Sequence, residues 1–123
     1  MGGALAMTRR TDRIADAIHG EIAQLLLREI KDPRVGMVTL TGVRVTADQR
    51  HARVLFSVLG EAERRDEALA GLRSASGFIR AQLARRLNLR VAPAIVFETD
   101  TSLEEAERVS RLLREALPDG SDS

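Results

Sequence analysis

Apolar residues recur along the chain with two alternating periods. From residue 9 to about 31, Ile14, Ile18, Ile22, Leu25 and Leu26 fall three and four apart. That stripe predicts an amphipathic helix. Thr8 or Thr11 is placed to cap its start, and Asp12 and Asp16 suit its positive end. Asp32-Pro33 should stop it, because proline disfavours a helical residue before it, and Gly36 then frees the chain to turn. Residues 38–46 read as a strand, with Val38, Leu40, Val43, Val45 and three threonines. The parity of its apolar positions shifts at Gly42, which predicts a bulge. After the polar turn Ala47-Asp48-Gln49-Arg50, a second strand over 51–59 puts Ala52, Val54, Phe56 and Val58 on one face. So short a turn implies an antiparallel hairpin.

The helical period returns over about 67–89, where Leu72, Ala75, Ile79, Leu83 and Leu87 form a stripe. Within it stands Ser74-Ala75-Ser76-Gly77. Glycine costs about 1 kcal/mol against alanine inside a helix, and serine competes for backbone hydrogen bonds. The pattern therefore predicts a kink, or two helices in sequence. Residues 91–99 read as a third strand. Asp100-Thr101-Ser102 can cap a last helix striped by Leu103, Ala106, Val109, Leu112, Leu113 and Ala116, which Pro118-Asp119-Gly120 ends. A crossover returning to a hairpin implies three strands with helices packed over one face. The expected fold is one compact α+β domain over residues 9–117, between flexible tails at 1–8 and 118–123.

Composition narrows the function. At 123 residues, with 44% apolar and 30% charged side chains, the chain suits one soluble core. It has no cysteine, which excludes disulfides and thiolate-ligated zinc. No apolar run approaches the roughly 20 residues of a membrane span. Three Phe and no Tyr or Trp argue against RNA binding by rows of stacked rings. Only His19 and His51 could ligate a metal through imidazole, and their spacing fits no metal motif. No GxSxG, Walker loop, GxGxxG or HExxH occurs. Nothing in the sequence points to catalysis, a metal or a cofactor.

Charge is more informative by position than in sum. Net charge is only +1, yet residues 71–93 carry Arg73, Arg80, Arg85, Arg86 and Arg90 and no acid. Segregation of this kind fits one positive face on a nearly neutral body, as RNA binding requires, and equally a solvated helix face. Eighteen of the nineteen basic residues are arginine, which suits bidentate phosphate contact. If a helix begins anew at Ser76-Gly77, its free amides and positive dipole end would add an anion site. The other reading of Gly77 is close helix packing.

Several segments then align with a known family: Arg9-Arg10-Thr11-Asp12-Arg13-Ile14, Ile30-Lys31-Asp32-Pro33-Arg34, Val43-Arg44-Val45-Thr46-Ala47-Asp48 with Ala52-Arg53-Val54, Ser74-Ala75-Ser76-Gly77-Phe78-Ile79-Arg80, Leu89-Arg90 with Pro93 and Phe97, and Asp100-Thr101-Ser102-Leu103. In order and spacing they resemble the ribosome-binding factor A family over residues 9–117. The resemblance implies a KH-like domain of the type II arrangement, with Ala75-Ser76-Gly77 as an interhelical kink in place of the usual GxxG loop. It implies a non-catalytic, cytoplasmic protein that binds the free small (30S) ribosomal subunit and its 16S rRNA. The implied role includes maturation of the rRNA 5′ end and growth in the cold, with release promoted by a GTPase assembly factor. No cofactor and no membrane are implied, and the chain is expected to act as a monomer. The expected contacts are Arg9, Arg10 and Arg13 on the first helix, Arg50 in the hairpin turn, and Arg73, Ser76, Gly77 and Arg80 at the kink. Arg85, Arg86 and Arg90 extend that surface. The alternative is a protein-binding α+β adaptor with an incidental basic face, which would bind with little salt dependence.

Overall fold

In the computed structural model, which describes residues 9–60 and 62–117 and leaves aside the side chain of Arg9, the apolar periods become three helices and three strands. Both expected tails, Thr8 as a cap, and Pro118 to Gly120 lie outside the described residues. Helix α1 spans Arg9–Arg28 and buries Ala15, Ile18, Ile22 and Leu25 on one stripe. Thr11 sits inside the first turn of the described helix and is buried. The helix ends before the proline, and Asp32 instead caps a short 3-10 helix, Pro33–Val35, through the Arg34 amide at 2.9 Å.

Strands β1 (Val38–Val45) and β2 (His51–Val58) form the expected antiparallel hairpin. Their register slips between Leu40 and Gly42, so Thr41 is the extra residue of the bulge. Strand β3 spans Ala94–Thr99 and pairs with β2 in parallel, giving the order β1-β2-β3. It starts three residues later than the apolar pattern suggests. Pro93 has no N–H to give to a ladder, so the first rung is the Ala94 amide on the Arg50 carbonyl, at 2.8 Å.

Helix α2 runs from Ala62 to Arg86 without interruption, so Ser74–Gly77 does not divide it into two helices. Its stripe explains why. Ala68, Leu72, Ile79 and Leu83 are fully buried and Ala75 packs against the same cluster, so core contacts hold both sides of the pair. The Ser76 hydroxyl is spent locally, donating to the Arg73 carbonyl at 2.9 Å. Packing thus outweighs a propensity deficit of about 1 kcal/mol. Close approach of backbone occurs at Gly71 instead, where a Cβ would stand 3.0 Å from Val35 Cγ1 and 3.1 Å from Arg34 Cβ. At Gly77 nothing lies within 4 Å of a Cβ, so this glycine does not serve close packing.

Helices α1 and α2 cover one face of the sheet, α1 over β1 and α2 over β2 and β3. Between them Val45, Ala52, Val54, Phe56 and Phe97 complete the core. Helix α3 (Ser102–Ala116) takes no share in that layer. Every one of its residues is exposed, so the predicted stripe forms but is not buried. A salt bridge from Arg65 to Glu104, at 3.1 Å, ties its first turn to α2. The result is an α+β fold of the KH-like kind.

Candidate nucleic-acid interface

The expected arginines divide among three surroundings. Three of them, Arg50, Arg80 and Arg90, come together around a cleft of about 680 Å³ at the hairpin-turn end of the sheet. They arrive on separate elements: the β1–β2 turn, α2, and the loop into β3. Asp48, Gln49, His51, Leu89, Val91 and Ala92 complete the lining.

The local folding of each wall is fixed by hydrogen bonds. In the turn, the Thr46 hydroxyl donates to Asp48 Oδ1 at 2.7 Å, and the Arg50 amide donates to the same oxygen at 3.0 Å. These two donors hold the Asp48 carboxyl below the usual carboxylate range. Gln49 takes a φ of 61°, a left-handed conformation that reverses the chain. On the other side, Nε and Nη2 of Arg80 both donate to the Ala92 carbonyl, at 3.2 and 3.1 Å. Arg80 therefore braces the cleft floor, with fewer N–H groups left for a ligand. The Ala94–Arg50 rung joins the two walls.

Arg50 and Arg90 are exposed, and their guanidinium groups make no hydrogen bond or ion pair among the described residues. The same holds for Arg73 and Arg85 on α2 and for Arg10 and Arg13 on α1. An unbroken α2 puts Arg73 and Arg80, seven residues apart, on one flank. No residue of α1 lines the cleft.

Arg86 is not available in this way. It ion-pairs with Glu29 and, at 3.5 Å, with Glu21, and its Nε donates to Gln82. Hydrogen bonding to Glu29 raises its already high pKa. Arg86 clamps α2 to α1. The backbone amides of Ser76 and Gly77 are likewise engaged, because they lie inside a continuous helix and not at a new N-terminus. Ser76 and Gly77 present a small, open helix surface only.

His51, Gln49, Leu89 and Val91 were not among the expected contacts. His51 opens β2 and is exposed at the rim. The one signal available was adjacency: each flanks Arg50 or Arg90 in the chain.

Fold and surface together define a small KH-like α+β domain with an arginine-lined cleft at one end of its sheet. The family model of ribosome-binding factor A matches residues 10–113. The chain belongs to that family. It is 44% identical over 109 residues to the ribosome-binding factor A of Geobacter metallireducens, covering 89% of this chain and 92% of the relative. Among solved structures, a crystal structure of ribosome-binding factor A from Thermus thermophilus superposes with a TM-score of 0.63 at 26% identity. That match covers 72% of this chain and 94% of the other. A Thermus thermophilus homology model fitted into a cryo-EM map of a 30S complex matches with a TM-score of 0.57 at 27% identity, covering 78% and 97%.

Proposed function

We propose that this chain binds the free 30S ribosomal subunit through its 16S rRNA and catalyses nothing. It supports late maturation of the subunit, including processing of the rRNA 5′ end, and growth in the cold. It acts as a cytoplasmic monomer, and a GTPase assembly factor promotes its release. The observation that carries this reading is the convergence of Arg50, Arg80 and Arg90 on one cleft from three separate elements. Membership of the family supports the ribosome as the partner of that surface. Unpaired guanidinium groups on Arg50 and Arg90 suit phosphate, with Arg10, Arg13, Arg73 and Arg85 as further contacts and Arg9 beside them in sequence.

The test is co-sedimentation with free small subunits over a salt series. Affinity should fall steeply with salt, and the double reversal Arg50→Glu with Arg90→Glu should weaken binding at least about tenfold. Absence from free subunits, with no 5′-end defect on depletion, would sink the reading. The adaptor alternative has one observation in its favour, the uncovered stripe of α3. It requires binding that salt leaves nearly unchanged.

A further inference from the structure

Helix α3 is a folded element outside any layer. It has 15 residues, and none of them is buried. A helix of that length is marginal in water on its own, since most helical stability in proteins comes from packing an apolar face. Its ties to the rest of the fold sit at its first turn: the Arg65–Glu104 ion pair and the two hydrogen bonds from Ser102 to Asp100. Beyond that turn, Val109, Leu112, Leu113 and Leu117 are each at least half exposed. Leu103 continues the stripe into a shallow groove that Met37 and Leu59 also line. A contiguous apolar surface of this kind on a small domain marks an interface.

Two features of the helix say what covers it. The first is the order of its charges. Glu104, Glu105 and Glu107 occupy its first half with no basic residue, and Arg108, Arg111 and Arg114 occupy its second half with one acid, Glu115. A helix of the same sequence running the opposite way sets each acidic half against a basic half. Running the same way, it sets like against like. The second feature is the seam. Ala106, Val109, Leu113 and Ala116 fall three, four and three apart, the spacing of a two-helix contact. In an antiparallel pair Val109 packs on the second copy's Leu113, and twofold symmetry repeats the contact. Leu112 meets its own copy at the edge of the seam, and Glu107 lies beside the second copy's Arg114. The second copy's Leu117 reaches Leu103 and the groove beside it.

We propose that the free chain pairs with a second copy of itself through antiparallel packing of α3. At 1.5 Å per residue the helix is about 22 Å long, and two such helices bury on the order of 1,000 Å² in total. That is the lower limit of a specific interface, so the pair is weak. No residue of α3 lines the arginine cleft, and pairing leaves that cleft open. The dimer is a state of the free chain at high concentration, and the subunit-bound chain is the monomer of the proposed function. The two readings rest on different residues.

The experiment is sedimentation equilibrium of the full chain from about 1 to about 500 µM. The average mass should rise from one chain toward two and level there, with a Kd on the order of 10–100 µM. At about 1 µM the chain is single, so substitutions in the stripe report the fold alone. Leu112→Glu should weaken pairing at least about tenfold, with circular dichroism to check the helix. Glu107→Arg should weaken it at least about threefold, and adding Arg114→Glu should restore it. That rescue separates antiparallel pairing from general stickiness and from a damaged helix. Arg50→Glu with Arg90→Glu should leave the mass unchanged while subunit binding falls. A mass of one chain throughout, growth past two chains, or a dimer unmoved by Leu112→Glu overturns the proposal. So does a charge swap that shows no initial loss or no recovery, or a dimer lost in the cleft double reversal. None of these outcomes touches the rRNA surface, whose own test is the salt series on free subunits.

Discussion

Helices α1 and α3 read almost alike in sequence and end in opposite circumstances. Both carry apolar residues at spacings of three and four. In α1, Ile18, Ile22 and Leu25 are wholly buried under the sheet. In α3, Leu103 is 71% exposed, and Val109, Leu112 and Leu113 are each at least half exposed. Periodicity therefore identifies a helix and the face it offers, but not what that face meets. For α1 the meeting is settled by topology, because β1 follows directly and needs a cover. By the time α3 begins, α1 and α2 already occupy the sheet face.

That contrast can be broken most sharply by truncation. Leu72→Ala, in the buried stripe of α2, should cost about 2–5 kcal/mol in chemical denaturation. Leu113→Ala, in the exposed stripe of α3, should stay within about 0.5 kcal/mol of wild type. A large loss at Leu113 would mean that α3 packs on the core after all. Next in size is Gly77→Ala. With a helical backbone and open space around the new methyl group, it should stabilise the fold by about 0.5–1 kcal/mol. A loss of stability in thermal denaturation would mean that the backbone at Gly77 does not accept a side chain.

The smallest effect concerns the junction into α3. Asp100 Oδ1 accepts from the Ser102 hydroxyl at 2.6 Å and the Ser102 amide at 2.9 Å. The Ser102 hydroxyl, then the Thr41 hydroxyl and the Ser102 amide, hold its carboxyl down at about 2. A carboxylate depressed in the folded state stabilises it above the unfolded value near 4 and loses that contribution as pH falls toward 2. A minor loss of helical circular dichroism should therefore appear between about pH 4 and 2. Asp100→Asn should already lack that component at neutral pH. An identical acid profile in the variant would exclude Asp100 as the anchor of α3.

Much of the architecture was legible because it depends on local chemistry. The helix periods, the hairpin, the bulge at Gly42 and the order of elements follow from side-chain alternation and turn residues. The two-helix alternative at Ser74–Gly77 failed because propensity was weighed without knowing that Ala68, Leu72, Ile79 and Leu83 would share one core. At the site, the arginines could be named, but their roles depend on partners distant in sequence. Arg86 meets Glu21 and Glu29 from another helix, and Arg80 meets the Ala92 carbonyl. Pairings of that range leave no local mark, and so the cleft that joins Arg50 to Arg90 could not be anticipated either.

The parallel pairing of β2 with β3 bears on how the chain folds. A hairpin needs only its own turn, so β1 and β2 can associate as soon as residue 58 is available. Strand β3 must wait until all of α2 has been made and has crossed the sheet. Closing that long loop precedes any reward from Phe97 entering the core. During synthesis the edge of β2 stays unpaired until residues 94–99 arrive. The walls of the cleft, which lie on both sides of that closure, are therefore assembled last.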